Sequence, residues 1–257
     1  MQIDTLGCDG GIGGTRRTTC YRVDQTILID AGTGLLDLPL EALEKIDHIF
    51  LTHSHFDHIL GLPLLLDSVY KNRQTPVTVH ALPETIAILQ SHIFNWKIWP
   101  DFSLIPRADQ GALRFQPLRM GKSVSIDDWV ISPLPVNHVI PAIGYALVSP
   151  QGALAISGDT TSCEAFWNHL NRLSRLDYLI VEASFPNDAQ DLAKISKHFC
   201  PSLLQADLKL LNHRPAIFIS HLKPGFEDAI MAELQAQCAG MGFTLQALQR
   251  QHRFKLA

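Results

Sequence analysis

Thr52-His53-Ser54-His55-Phe56-Asp57-His58 places three imidazoles and a carboxylate within six positions, His53 to His58. Residues 46–51, just before it, form an apolar run that reads as a short buried strand, and residues 59–70 read as the start of a helix. The cluster therefore sits where a strand ends and a helix begins. Side chains alternate on an extended segment, so His53 and His55 face the same way. A turn over residues 54–57 then aims Asp57 and His58 at nearby space. This geometry offers histidine nitrogens to one ion and Asp57 with His58 to a second, the mixed nitrogen and oxygen set that zinc and similar ions accept. The competing reading is a histidine-rich surface turn, which would gather these side chains with no packing gain.

His53-x-His55-x-Asp57-His58 resembles the signature of the metallo-β-lactamase superfamily. Its flank, His58-Ile59-Leu60-Gly61-Leu62, looks like class II cyclic-nucleotide phosphodiesterases. The likeness extends to the glycine loop at residues 7–14, to Asn137-His138, to Gly158-Asp159-Thr160 and to Ser220-His221-Leu222-Lys223-Pro224. Two positions depart from it: Phe56, where class II enzymes usually have Leu, and Asp67, in a stretch that reads more like Ile-Asn-Ser in eukaryotic members. They bear on class membership and leave the chemistry intact. The resemblance implies a four-layer αββα sandwich, whereas periodicity alone gives only α/β with a mixed sheet.

The chain has 257 residues, 46% of them hydrophobic, enough for one domain spanning 1–257 with a sizeable core. Its formal charge is -4, with acids and bases mixed, so no basic stripe announces a nucleic-acid polymer as partner. The five cysteines are scattered without CxxC spacing, which argues for a reducing compartment. No run approaches the ~18 apolar residues of a membrane span, and the chain opens directly on a strand; no membrane contact and a cytoplasmic setting are expected. A homodimer is left open.

In order, strands are read at 1–6, 21–23, 26–30, 76–80, 113–115, 123–126, 129–135, 143–149, 152–157, 176–181 and 216–220. Helices are read at 83–93, 162–173, 189–195, 202–211 and 226–237, with 244–256 a closing strand or irregular tail. The glycine loop lacks both Walker and Rossmann spacing. It is either a tight turn or a place where backbone approaches a ligand. Arg16 and Arg17 follow it, and Arg17 is the candidate phosphate grip, from its resemblance to the segment after the loop in related phosphodiesterases. Between 93 and 102 lie four aromatics, either a satellite core or a wall for a flat ligand in which Trp96 or Trp99 stacks on a base. Asn137 is a further candidate substrate contact. His80 reads as a structural or supporting histidine.

By resemblance, His53, His55 and His138 hold one ion, Asp57, His58 and His221 hold another, and Asp159 bridges them. Two divalent ions are expected, zinc first, with Mn2+ or Fe2+ as alternatives. Asp30 supports the metal loop from behind, since such a carboxylate fixes a ligand imidazole. Asp57 is counted among the catalytic residues, along with His198 as proton donor and Glu182 as its orienting partner. That pair matches the Glu-Ala-Ser/Thr-Phe and later His of related phosphodiesterases and tRNA 3′-processing enzymes, here Glu182-Ala183-Ser184-Phe185 and His198. The expected activity is hydrolysis of a 3′,5′-cyclic nucleotide, cyclic AMP first, to the 5′-monophosphate. The alternatives are a tRNA 3′-endonuclease, a lactone or thioester hydrolase, and a non-catalytic metal or nucleotide sensor.

Overall fold

The computed structural model describes residues 1–256. Fourteen strands run in chain order: Gln2–Gly7 (β1), Cys20–Val23 (β2), Ile27–Ile29 (β3), His48–Phe50 (β4), Val77–Ala81 (β5), Leu113–Pro117 (β6), Val124–Ile126 (β7), Trp129–Pro135 (β8), Ile143–Ser149 (β9), Gly152–Ile156 (β10), Tyr178–Glu182 (β11), Ala216–Ser220 (β12), Thr244–Ala247 (β13) and Arg253–Lys255 (β14). Helices are Leu40–Leu43 (α1), Phe56–Ile59 (α2), Gly61–Val69 (α3), Pro83–Ile88 (α4), Glu164–Leu170 (α5), Gln190–Ser196 (α6), Pro201–Leu208 (α7) and Glu227–Gln237 (α8). The strands form two sheets of seven, ordered β14-β1-β2-β3-β4-β5-β6 and β13-β12-β11-β10-β9-β8-β7. In each, one half is antiparallel and the other parallel. β3 to β6 and β10 to β13 are the parallel runs.

Alternation along the strands explains the layers. Ile27, Ile29 and Phe50 of the first sheet meet Tyr145, Leu147, Leu154, Ile156, Ile180 and Phe218 of the second in a shared core. Their neighbours point outward: Leu28, Ile49, Val77 and Val79 pack under α3 and α4. Ala155, Leu179, Val181, Ile217 and Ile219 pack under α5, α7 and α8. The result is the four-layer αββα sandwich that the resemblance implies. Among the described residues, no helix is long and apolar enough to cross a membrane.

Several elements differ from the sequence reading. The expected turn over 54–57 is a helix start: α2 opens at Phe56, with His55 in extended backbone at its N-cap. Residues 33–43, unread in the sequence, carry a 3-10 turn, Thr33–Asp37, and α1. The tail is two strands, β13 added to the second sheet and β14 to the first, where Gln2 pairs with Lys255. All five cysteines are free, and four are buried.

His80 is structural. Its ring stacks on Phe50, centroids 4.2 Å apart, and its Nε2 lies 3.0 Å from Nδ1 of His48. Burial, followed by the charge of His48, pushes the His80 pKa down to about 4. An unfolded chain would titrate it near 6.5, so the unfolded state binds more protons between those values. The stability from a neutral His80 is whole above pH 6.5 and drains away as pH falls toward 4, reaching ~2 kcal/mol of loss at pH 5. His80→Gln is expected to remove most of that acid sensitivity. Urea midpoints at pH 8 and pH 5 check it; parallel losses in both proteins would exclude His80 as the cause.

Candidate metal centre

Strand ends from both sheets deliver the site. β4 leads to His53, β8 to His138, β10 to Asp159 and β12 to His221, all at one edge of the sandwich. Two bonds from the second sheet hold the motif: the Tyr145 hydroxyl donates to the Leu51 carbonyl at 2.7 Å, and the Ile143 N–H to the Thr52 carbonyl at 3.0 Å. The seven side chains expected as ligands come together. His53, His55, His138 and Asp159 form one group whose ligand atoms lie within 4.8 Å of each other; Asp57, His58, Asp159 and His221 form a second. Asp159 belongs to both.

The hydrogen bonds behind the rings fix which nitrogen carries a proton. Asp30, fully buried, accepts from the Thr52 N–H at 2.8 Å and from the Thr52 hydroxyl, and lies 2.7 Å from Nδ1 of His58. A carboxylate can only accept, so His58 carries its proton on Nδ1. Its Nε2 lone pair then faces Asp159 Oδ1 at 3.3 Å, buried and with no hydrogen-bond partner. The Thr52 hydroxyl gives its proton to Asp30 and so accepts from Nδ1 of His53 at 3.0 Å, freeing Nε2 of that ring as well. The Lys197 carbonyl fixes His138 in the same way at 3.2 Å. The inward nitrogens of His53 and His138 stand 3.0 and 3.3 Å from Nδ1 of His55. Lone pairs converging on each other and on carboxylate oxygens repel unless positive charge lies between them. This donor set fits two divalent cations.

Where no cation lies between these groups, protons on the imidazoles supply the positive charge instead. Burial disfavours a charged His58, yet Asp159 and Asp30 outweigh it and hold its pKa well above the ordinary value. Burial disfavours the Asp159 carboxylate, yet His221 and His58 pull it well below the usual range. Asp57 follows the same pattern: burial is outweighed by its contact with His221, at 3.2 Å, and its carboxyl is held low.

Beside this centre lies a buried pair. Glu182, at the end of β11, accepts from Nδ1 of His198 at 2.6 Å. The other donors to its oxygens are the Thr160 N–H, the Phe199 N–H and the Ser184 hydroxyl. The His198 ring stands 5.2 Å from His221 and 5.1 Å from His138, centroid to centroid. Burial works against its positive charge, but Glu182 outweighs this and raises its pKa.

The glycine loop approaches a histidine backbone. His221 has left-handed backbone, φ 58, and its N–H donates to the Cys8 carbonyl at 2.7 Å. A Cβ on Gly10 would run into the His221 carbonyl oxygen and come within 2.9 Å of its Nδ1. Gly10→Ala is therefore expected to displace His221, cost ~1–3 kcal/mol of stability and weaken one ion's binding. Denaturant melts with metal counting would show it; a variant matching the native protein in both would remove this role from Gly10.

Of the candidate substrate contacts, Arg17, Asn137 and Trp99 have partners within the chain. Arg17 is not a free fork: Asp37 holds its Nε at 3.0 Å, and its Nη1 donates to the Gly14 and Arg16 carbonyls. Arg16 is paired with Glu227 at 2.6 Å. Asn137 ties two loops of the site together, its backbone N–H donating to the Thr160 hydroxyl and its side-chain amide to the Ser162 carbonyl. Trp99 packs on the core under α3 and α4 with Phe94 and Phe102, so that segment is largely a satellite core. Trp96 stands 61% exposed in left-handed backbone, φ 63. Sequence reading assigned no role to Thr52, Ser184 or Lys197. The signal for Ser184 was its spacing: two residues after Glu182 in extended chain, it shares that residue's face.

Residues 25–230, well over half of the chain, match the family model of the beta-lactamase superfamily domain, and the chain belongs to that superfamily. Within it the chain is like the cyclic-nucleotide phosphodiesterases. It is 27% identical, over an alignment 293 positions long, to a probable 3′,5′-cyclic-nucleotide phosphodiesterase of Yersinia pestis, covering 91% of this chain and 83% of that protein. It is also 24% identical over 233 residues to ribonuclease Z of Methanocaldococcus jannaschii, covering 71% of each. Unliganded yeast PDE1 shares the fold with a TM-score of 0.81 at 21% identity, over 98% of each chain.

Proposed function

We propose that this chain is a metal-dependent phosphodiesterase that hydrolyses 3′,5′-cyclic nucleotides, cyclic AMP first, to 5′-monophosphates. The observation that carries the reading is the buried Glu182–His198 pair set against the rings of two candidate metal ligands. His53, His55 and His138 would hold one ion, Asp57, His58 and His221 the other, with Asp159 shared. When bound, two such ions polarise phosphoryl oxygens and provide a nucleophile from water at neutral pH.

The chain's own residues supply the rest. Water adds to phosphorus, the bond from phosphorus to the 3′-oxygen breaks, and that oxygen leaves needing a proton. Glu182 fixes Nδ1–H of His198 and, by raising its pKa, favours the protonated ring. Nε2–H is then the donor to the 3′-oxygen. Asp30 and Thr52 hold His58 and His53 in the tautomers that turn Nε2 inward.

Product analysis with purified, metal-loaded protein tests the reading: 3′,5′-cyclic AMP should yield 5′-AMP. Turnover confined to a lactone or thioester, or none with metals bound, would overturn it. The likeness to ribonuclease Z supports a second reading, cleavage at the 3′ end of precursor tRNA. The formal charge of -4 suits a small anion better than a polyanionic strand. Cleavage of a precursor tRNA, with cyclic nucleotides untouched, would reverse the order.

A further inference from the structure

The Ser184 side chain is fully buried between the metal cluster and the Glu182–His198 pair. Four polar atoms surround its hydroxyl: Glu182 Oε2 at 2.9 Å, His221 Nδ1 at 2.9 Å, His198 Nδ1 at 3.2 Å and the His221 carbonyl at 3.2 Å. A hydroxyl has one proton to give. Glu182 and His221 Nδ1 are equally near, but the carboxylate forms the stronger, charge-assisted bond, so Ser184 donates to Glu182. Its oxygen is then an acceptor, and the ring nitrogen at 2.9 Å, His221 Nδ1, must carry the proton that reaches it. His198 sends its own Nδ1–H to Glu182, the shorter contact at 2.6 Å. Each bond fixes the next: His221 Nδ1–H to Ser184, Ser184 O–H to Glu182, and His198 Nδ1–H to the same carboxylate. His221 is left with a bare Nε2, 3.2 Å from Asp57 and 3.4 Å from Asp159.

Glu182, His198 and His221 also lie close enough together to suggest a third ion. The Ser184 hydroxyl, within 3.2 Å of all three, fills that place with hydrogen bonds instead.

We infer that Ser184 is a positioning residue that joins the proton donor to the metal centre, holding His221 as a ligand on one side and orienting Glu182 and His198 on the other. The inference rests on the phosphodiesterase reading above. Lys197 makes a matching link to the other ligand group: its carbonyl accepts from His138 Nδ1, and its ammonium donates to the His138 carbonyl at 3.1 Å. The residue after it is His198. The proton donor is thus tied to one ligand of each group.

Ser184→Ala and Ser184→Thr decide the matter. Zn2+ is titrated into each metal-free chain against a chromophoric chelator, and loaded proteins are assayed on cyclic AMP and on bis-p-nitrophenyl phosphate. Ser184→Ala should lose roughly 10–100-fold in affinity for one ion, the usual cost of removing a support behind a ligand. It should also slow cyclic AMP hydrolysis more than release of p-nitrophenolate, a leaving group that needs no proton. Ser184→Thr should restore both. If Ser184→Ala does not fold, Ser184→Cys, which keeps the volume but is a weak donor and acceptor, carries the same comparison. Native affinity for both ions together with an unchanged ratio of the two rates would overturn the inference alone. A native chain that binds no Zn2+ would overturn the phosphodiesterase reading and the inference with it.

Discussion

Asp159→Ala is expected to abolish turnover and to lower the bound metal from the two ions per chain proposed above to one or fewer. Asp159 is buried, and its oxygens lie 3.3 Å from His58, 3.4 Å from His221, 3.6 Å from His53 and 4.0 Å from His138. It is the residue common to both ligand groups. Alanine leaves the buried imidazoles facing one another without the carboxylate that neutralises the cations, so both ions lose a ligand together. Each 1.36 kcal/mol of lost stabilisation is tenfold in rate, and losing several puts the deficit at roughly 10³-fold or beyond. Elemental analysis with a rate on bis-p-nitrophenyl phosphate checks it. Two ions and undiminished activity in the variant would rule out a shared ligand at 159.

His198→Ala should behave quite differently. The ring is outside both ligand groups that contain Asp159, so both ions should remain. Hydrolysis of cyclic AMP should slow by roughly 10²–10⁴-fold, the range for removing a general acid. The loss should be much smaller with p-nitrophenolate as leaving group. Equal losses on the two substrates would make His198 a structural histidine.

Much of this centre is legible in the sequence because its ligands stand at the ends of apolar strands. His53, His138, Asp159 and His221 each follow such a run, and a sheet edge gathers what its strand ends carry. Legibility fails where a role depends on partners distant in the chain. Arg17 reads as a phosphate grip until Asp37, twenty residues on, takes its guanidinium. Trp99 reads as a ligand wall until the helices are packed beneath it. Thr52 and Ser184 look like filler between charged neighbours, since a hydroxyl has no preferred function until the atoms around it fix the direction of its proton. The two-way split of the tail was hidden for another reason. Thr244–Ala247 and Arg253–Lys255 are four and three residues long, too short for alternation to show which sheet each joins.

That split bears on how the molecule is made. β1 pairs on one side with β2 and on the other with β14, so Gln2 must wait for Lys255, which is made much later. During vectorial synthesis the β1 edge offers open N–H and C=O groups to any neighbouring strand until β14 has been made. A pairing of such sequence separation closes late and slowly. Nascent chains arrested before residue 253 should consequently be more prone to associate with one another than chains that carry β14, although the residues of the candidate metal centre, ending at His221, are already present in them.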